Sequence, residues 1–309
     1  MVSYFASLGQ SFKDLRDNPI LIMPFLLQSL TLILLLFILF ILCAGVIFVK
    51  MGFTADSFTT EQAFSDAFSA VAWTPGLIVT IIVVAALFLF LLSLVSSWFT
   101  AGSLAMVNEA VEGKRPSAKA FFEAGRVLTW RLFGYYLVQG LLIIAAAAPA
   151  ALFIYLAIVQ KQWSVVFILL AVIFVILFIL AGLLILLSFF FTQPILVRER
   201  LGTLAAMERS ARILKERTRH VILTILTLLV VTVGISIVLG IVTLPLSMAA
   251  GTQPGSSALQ ILVFVVELIK NLLYILLSIV AALFLFRMYN EVKIGAQAPT
   301  ATRKKAKKR

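Results

Sequence analysis

Residues 203–220 read TLAAMERSARILKERTRH, and this stretch gives the clearest sign of the architecture of the chain. Its apolar residues recur at spacings of three, four and three, which places them on one face of an α-helix; they are Leu204, Met207, Ala211 and Leu214. The opposite face is basic, and its cations are Arg209, Arg212, Lys215, Arg217 and Arg219. The pattern predicts a basic amphipathic helix that lies flat on a membrane surface.

The composition around this stretch is that of a membrane protein. Of the 309 residues, 62% are hydrophobic and only 12% are charged, and the mean hydropathy is +1.14, whereas about a quarter of the residues in soluble domains are charged. Continuous apolar runs exclude the alternating pattern of a membrane β-barrel. We therefore expect an all-α polytopic membrane protein whose six segments exceed the roughly 20 residues needed to cross a bilayer: 20–49, 75–99, 132–158, 164–197, 221–249 and 259–286.

The basic residues predict the orientation of these spans. Of the 25 lysine and arginine residues, all except Lys50, Lys161 and Lys270 fall in four segments on one side, which are 1–19, 100–131, 198–220 and 287–309. Because basic loops stay in the cytoplasm, we expect both termini on the cytoplasmic side of the cell inner membrane. The net charge of +12 then lies mostly at that face and favours contact with anionic lipid headgroups over nucleic acid.

The amphipathic pattern of 203–220 recurs twice earlier in the chain. One copy carries Phe5, Leu8, Phe12 and Leu15, and another starts near Ser117 and aligns with the third copy at a shift of 86 residues. The second copy also has an apolar stripe, formed by Phe121, Gly125 or Ala124, Leu128 and Leu132. Since two spans follow each copy, the sequence predicts three parallel repeats of a cytoplasmic amphipathic helix plus two spans.

These patterns define one transmembrane domain over residues 1–294, with repeats of about 1–100, 101–198 and 199–294. Residues 295–309 follow as a disordered polybasic tail, because 303–309 read RKKAKKR and contain no apolar face. Near an anionic leaflet such a tail would lie along the membrane. It could equally act only as a topogenic anchor.

Two segments carry a resemblance to a known family. Residues 193–215, QPILVRERLGTLAAMERSARILK, and residues 285–289, LFRMY, resemble six-span prokaryotic membrane proteins that are similar to the membrane domain of glycerophosphoryl diester phosphodiesterases. The resemblance implies the six-span architecture and a link to membrane lipid or cell-envelope physiology. It supplies no catalytic residue, because the phosphodiesterase catalytic domain has no counterpart in this sequence.

The strongest candidate for an intramembrane polar site is formed by Glu267, Lys270 and Asn271 in the sixth span. An ionised side chain at the bilayer centre costs about 2.5 to 3.5 kcal/mol on insertion scales, so such residues usually face protein or water and pair with each other. Glu267 and Lys270 are three residues apart and can bridge on one helix face. The pair is either structural or part of a permeation or substrate site.

The sequence contains no pattern typical of catalysis. Its single histidine, His220, has no adjacent cysteine or carboxylate cluster, and its single cysteine, Cys43, cannot form an intramolecular disulfide. No GxSxG, HExxH or Walker motif is present. We therefore expect a protein that is not an enzyme and has no cofactor and no metal site.

Two functions remain open at this stage. The first is transport or handling of a lipid or small solute, with Glu267, Lys270 and Asn271 lining the route. The second is a membrane scaffold or complex subunit, whose basic surface recruits anionic lipids, a protein partner or a second copy of the chain. The candidate lipid contacts are Arg126, Arg131, Arg209, Arg212, Lys215, Arg217 and Arg219. A polar cavity at Glu267 would favour transport, and a dry bundle would favour the scaffold.

Overall fold

The computed structural model describes residues 4–53, 60–69, 74–159, 164–252 and 257–297, and the regular elements in these ranges are helices. In chain order they are α1 Tyr4–Asp17, α2 Ile22–Lys50, α3 Glu61–Ser69, α4 Pro75–Val111, α5 Ala118–Val159, α6 Ser164–Phe189, α7 Thr192–Glu199, α8 Thr203–Glu216, α9 Thr218–Thr252 and α10 Ser257–Gln297. A short 3-10 helix, Pro19–Leu21, precedes α2. Within these ranges six helical segments are long and apolar enough to cross a membrane, which confirms the predicted all-α class with six candidate spans.

Three of the spanning helices are much longer than a bilayer requires. Helices α4, α5 and α10 contain 37, 42 and 41 residues, which corresponds to lengths of about 55 to 63 Å at 1.5 Å per residue. A hydrocarbon core is only about 30 Å thick. The extra length packs with α1, α7 and α8 into one layer that we call the base; its buried residues lie in 8–21, 97–135, 191–224 and 277–292.

Helices α4 and α5 approach each other closely within the base. Helix α4 approaches α5 at Gly102, where an added Cβ would overlap the ring of Phe121. At Gly125 an added Cβ would lie 2.8 Å from Trp98 Nε1. Small residues at these two crossings let the aromatic rings fill the space between the helix backbones.

Beyond the base the spans expose their apolar surfaces. In each of the first five spans, at most 6% of the most apolar 18-residue window is buried within the protein, compared with 28% in the sixth. Lipid tails are as apolar as leucine, so such surfaces gain little by burying themselves against each other in a membrane. The most deeply buried side chains therefore lie in the base.

Polar contacts between distant segments fasten the base. Arg287 on α10 donates to Asp14 on α1, with a distance of 3.0 Å from Nε to Oδ2. Tyr289 donates its hydroxyl to Glu199 Oε1 of α7 at 2.6 Å, and Lys293 Nζ lies 3.1 Å from the same oxygen. The LFRMY segment is thus the structural joint at which α10 holds both α1 and α7.

Helices α1 and α8 bury only part of their predicted apolar stripes in the base. In α8 the buried residues are Ala206, Met207, Ser210 and Ile213, and Leu204 is 70% exposed. In α1 they are Leu8, Ser11, Asp14 and Leu15, and Phe5 and Phe12 remain exposed. Leu8, Leu15 and Met207 of the predicted stripes are among these buried residues, and polar residues with partners in the base are buried beside them: Phe191 donates its backbone N–H to Ser210 Oγ at 3.1 Å.

Several element boundaries also differ from the expectation. The second amphipathic segment is continuous with the third span in α5, and its predicted stripe of Phe121, Gly125, Leu128 and Leu132 is buried. The fourth span ends at Phe189, because residues 192–199 form the separate helix α7. The predicted polybasic residues 303–309 lie outside the described residues. At α3, Thr60 Oγ1 accepts from the Ala63 N–H at 3.1 Å.

Replacing Asp14 with Asn should destabilise the base, because Arg287 would lose its carboxylate in a setting where the two side chains are only 12% and 24% exposed. We expect a loss of about 2 kcal/mol in the free energy of unfolding, within the range for hydrogen bonds to charged groups. Thermal unfolding of the purified protein in detergent measures this loss as a lower midpoint.

Asp17→Asn is the matched control, since the Arg16–Asp17 pair has side chains that are 77% and 50% exposed. Exposed pairs contribute about 0 to 1 kcal/mol, so this variant should unfold close to the wild-type temperature. Equal midpoints for the two variants would contradict the assignment of Asp14 as the fastening residue.

Candidate functional site

The structure brings the predicted intramembrane residues together on one face of α10. Lys270 Nζ donates to the carboxylate of Glu267, and the two side chains are 24% and 42% exposed. Asn271 is exposed beside them. The expected ion pair therefore forms on one helix, at a place where it is neither buried in the bundle nor fully open.

The polar face continues beyond the three predicted residues. Tyr274 and Ser278 follow at helical spacing and lie on the same side of α10 as Glu267. The Tyr274 hydroxyl donates to Ser236 Oγ of α9 at 3.5 Å, and Ser278 Oγ donates to the Tyr274 carbonyl at 2.8 Å. We call Glu267, Lys270, Asn271, Tyr274 and Ser278 the polar stripe.

Sequence analysis missed Tyr274 and Ser278, although a usable signal was present. The positions 267, 270, 271, 274 and 278 repeat at intervals of three and four, the same pattern that identified the apolar stripes. The stripe spans 12 residues, or about 16 Å along the helix axis, which is about half of the hydrocarbon thickness.

Two of the predicted lipid contacts lie on α5 in different surroundings. Arg126 is exposed in a shallow cavity of about 350 Å³ that Trp98 and Trp130 also line. The Arg131 guanidinium donates to the backbone carbonyls of Arg200 and Leu201. Arg131 therefore holds the loop between α7 and α8, whereas Arg126 faces outward next to interfacial aromatic residues.

Two further predicted contacts lie on α8. Arg212 Nη2 donates to Glu208 Oε1 at 2.7 Å, one helical turn away. Arg209 is half-buried and has no carboxylate within ion-pair distance among the described residues. Arg212 is thus paired within its own helix, whereas Arg209 remains a partly buried candidate for lipid contact.

The remaining three predicted contacts share one open cavity at the junction of α8 and α9. We call it the basic cleft; it has a volume of about 880 Å³ and is lined by Tyr4, Lys215, Glu216, Arg217, Thr218, Arg219, His220 and Leu223. The Tyr4 hydroxyl is 3.0 Å from His220 Nδ1, and their ring centroids are 5.5 Å apart. Burial raises the pKa of the Tyr4 phenol, so it remains a neutral hydroxyl near pH 7.

The sequence contains no signal that places Tyr4 in this cleft. The residue is 216 positions from His220 and belongs to a different predicted repeat. Its placement depends on how α1 docks on α9 and α10, which Asp14 and Ser7 fix through Arg287 and Glu291. The contact is therefore a product of tertiary structure alone.

A third cavity, of about 400 Å³, lies at the loop between α4 and α5. Its carboxylates already have partners: Glu109 Oε2 accepts from the Ser117 N–H at 2.8 Å, Glu112 Oε2 is 2.8 Å from Lys114 Nζ, and Glu123 Oε1 is 3.7 Å from Arg200 Nη2. The hydrogen bond from Lys114 lowers the pKa of the Glu112 carboxyl. In the described part of the chain, no three His, Cys, Asp or Glu side chains lie close enough together to hold a metal ion. The contacts around this cavity hold the loop between α4 and α5 in place.

The comparisons with known proteins agree with the resemblance noted in the sequence. The family described as the membrane domain of glycerophosphoryl diester phosphodiesterase matches residues 153–309, slightly more than half of the chain. No curated protein and no solved structure matches. The matched region contains both segments that carry the resemblance, and the structure joins them through Glu199 and Tyr289. The chain is thus an integral membrane protein that belongs to the family of the glycerophosphoryl diester phosphodiesterase membrane domain.

Proposed function

We propose that this protein transports or handles a lipid or small solute in the membrane, without catalysing a reaction, and that the polar stripe of α10 is the route. The observation that carries the proposal is the half-exposed Glu267–Lys270 pair within a candidate span. Ionised groups at such positions usually serve a polar pathway or pair with a partner.

Movement of a lipid headgroup explains the polar stripe better than a purely structural role for the Glu267–Lys270 pair does. A structural pair would be most stable if it were enclosed, yet Glu267 is 42% exposed and Asn271 and Ser278 are also exposed. The carboxylate, ammonium, amide and hydroxyl groups offer both donors and acceptors along one face. A polar or zwitterionic group could exchange hydrogen bonds with them in successive steps without losing all partners at once.

The absence of catalysis is part of the same proposal. His220 is engaged with Tyr4, and Glu267 with Lys270, so these ionisable side chains already have partners. We infer that these contacts are structural and that neither pair acts as a nucleophile and its base. The family description refers to a phosphodiesterase, and in this chain we infer that the membrane domain serves lipid handling.

A membrane scaffold is the second candidate, and exposed cations favour it. Arg126, Lys215 and Arg219 are exposed and have no carboxylate within ion-pair distance in the described residues. Together with the basic tail, they would hold anionic lipids, a partner protein or a second copy at the base. This role requires no polar stripe, so substitutions at Glu267 and Lys270 separate the two functions.

We also propose that the chain consists of three repeats. Helices α1 and α8 support this idea because equivalent positions are buried in both: Leu8 corresponds to Met207, and Ser11 to Ser210. Each precedes a spanning helix, α2 or α9. In the second unit the equivalent segment is continuous with its span in α5, as a fused form of the same element.

Replacing Glu267 and Lys270 together with Ala should slow lipid exchange between leaflets by about tenfold or more, because loss of the stripe restores about 1.4 kcal/mol or more of barrier. The measurement uses proteoliposomes that contain a fluorescent phospholipid and an impermeant reductant that quenches the outer leaflet. The double substitution leaves no unpaired charge in the span.

Thr232→Val is the control for this experiment, because Thr232 is an exposed polar residue on the neighbouring helix α9. It should leave the exchange rate within about twofold of wild type, since its hydroxyl lies outside the polar stripe. Wild-type exchange no faster than in protein-free vesicles would exclude lipid movement and favour the scaffold.

We propose that the base faces the cytoplasm of an inner-membrane protein, as the distribution of basic residues suggests. In a Cys43→Ala background, a cysteine at Ser65 should react with an impermeant thiol reagent applied to intact cells, and a cysteine at Ala205 should not. Ala205 is exposed on α8, whereas Ser210 is buried and unsuitable. The reverse labelling pattern would place the base outside.

A further inference from the structure

The basic cleft carries positive charge that the fold itself does not neutralise. Lys215, Arg217 and Arg219 line it, and in the part of the chain that the structure describes none of them has a carboxylate at ion-pair distance. Glu216 also lines the cleft, which leaves a formal charge of +2. Since like charges repel at close range, a bound anion would lower the energy of this region.

The inner wall of the cleft is built by two elements. Helix α1 contributes Tyr4 and helix α9 contributes His220, which are joined by the 3.0 Å contact between the phenol oxygen and Nδ1. Arginine guanidinium groups present several N–H donors in a plane and suit the oxygens of a phosphate. The cleft thus combines cations and a polar aromatic wall around a volume of about 880 Å³.

The part of α9 that follows these cations in the sequence has an apolar face. Arg219, Leu223, Leu226 and Val230 follow each other at spacings of four, three and four, so they share one side of the helix. Leu226 is 51% exposed and Val230 is 55% exposed. A ligand that fits both parts has an anionic group at one end and hydrocarbon chains at the other.

We propose that the basic cleft binds the headgroup phosphate of an anionic glycerophospholipid, whose acyl chains lie along the Leu223, Leu226 and Val230 face of α9. Tyr4 makes this a built site, whereas the basic surface predicted from sequence would attract any anionic lipid. The site stands apart from the polar stripe of α10, so the inference does not depend on the transport proposal. Loss of binding and loss of lipid exchange are separate outcomes.

The test uses the full chain, purified in detergent and stripped of lipid, with phosphatidylglycerol and phosphatidylcholine of equal chain length as probes. Native mass spectrometry counts the lipids bound at each concentration. The wild type should prefer phosphatidylglycerol. Arg217→Ala/Arg219→Ala should weaken phosphatidylglycerol binding by about tenfold or more, because each cation near an anionic headgroup contributes to the binding free energy.

The charge-matched control is Lys13→Ala/Arg115→Ala, which removes two exposed cations of the base that do not line the cleft. It should change phosphatidylglycerol binding by less than about threefold, because exposed charges beyond a Debye length of roughly 10 Å are screened. Equal losses in the two double variants would overturn the proposal, since only diffuse attraction would then be acting.

Tyr4→Phe tests the built site without a change of charge. It should weaken phosphatidylglycerol binding by about threefold, because the wall of the cleft loses the hydrogen bond between Tyr4 and His220, while the elution volume on size exclusion stays that of wild type. Unchanged binding in this variant would remove α1 from the site and refute the proposal. Binding of inorganic phosphate without preference for phosphatidylglycerol over phosphatidylcholine would also refute it.

Discussion

The ion pair between Asp14 and Arg287 is the constraint on which the arrangement of the base depends. It joins the first helix to the last, across 273 residues of sequence, and both side chains are mostly buried. An unpaired charge in that position would be costly, so the pair fixes how α1 lies against α10. Two residues farther along α10, Tyr289 reaches Glu199 and positions α7.

This dependence follows from the physics of the spans. In a bilayer the apolar faces of the helices contact lipid at little cost, so the hydrophobic effect does not draw them together. Ordered packing must then come from segments where water makes burial favourable. Here α4, α5 and α10 are longer than the hydrocarbon layer is thick, and their ends contribute to the core of the base. Phe284 of α10 is buried there in the same cluster as Phe191 and Ile195.

The sequence was sufficient for the spans because apolar runs of more than 20 residues have few alternatives. It also placed helices at α1 and α8. The sequence did not determine which face of each helix is buried in the protein, because an apolar stripe can contact either lipid or protein. Leu204 is exposed, for example, whereas Ser210 is buried. The Glu267–Lys270 pair was predictable because its spacing is local, whereas the Tyr4–His220 contact depends on α1 docking.

Helix α9 takes part in both candidate sites. Tyr274 of α10 contacts Ser236 of α9 within the span, and the polar stripe ends at Ser278, next to the buried Ile279 and Val280 of the base. The basic cleft opens at the N-terminal end of α9. Residues 153–309, the part matched to the family, include α9, α10 and every lining residue except Tyr4. The first half of the chain therefore contributes to these sites chiefly by docking α1, which brings Tyr4 into the cleft and is fixed by Asp14 and Ser7.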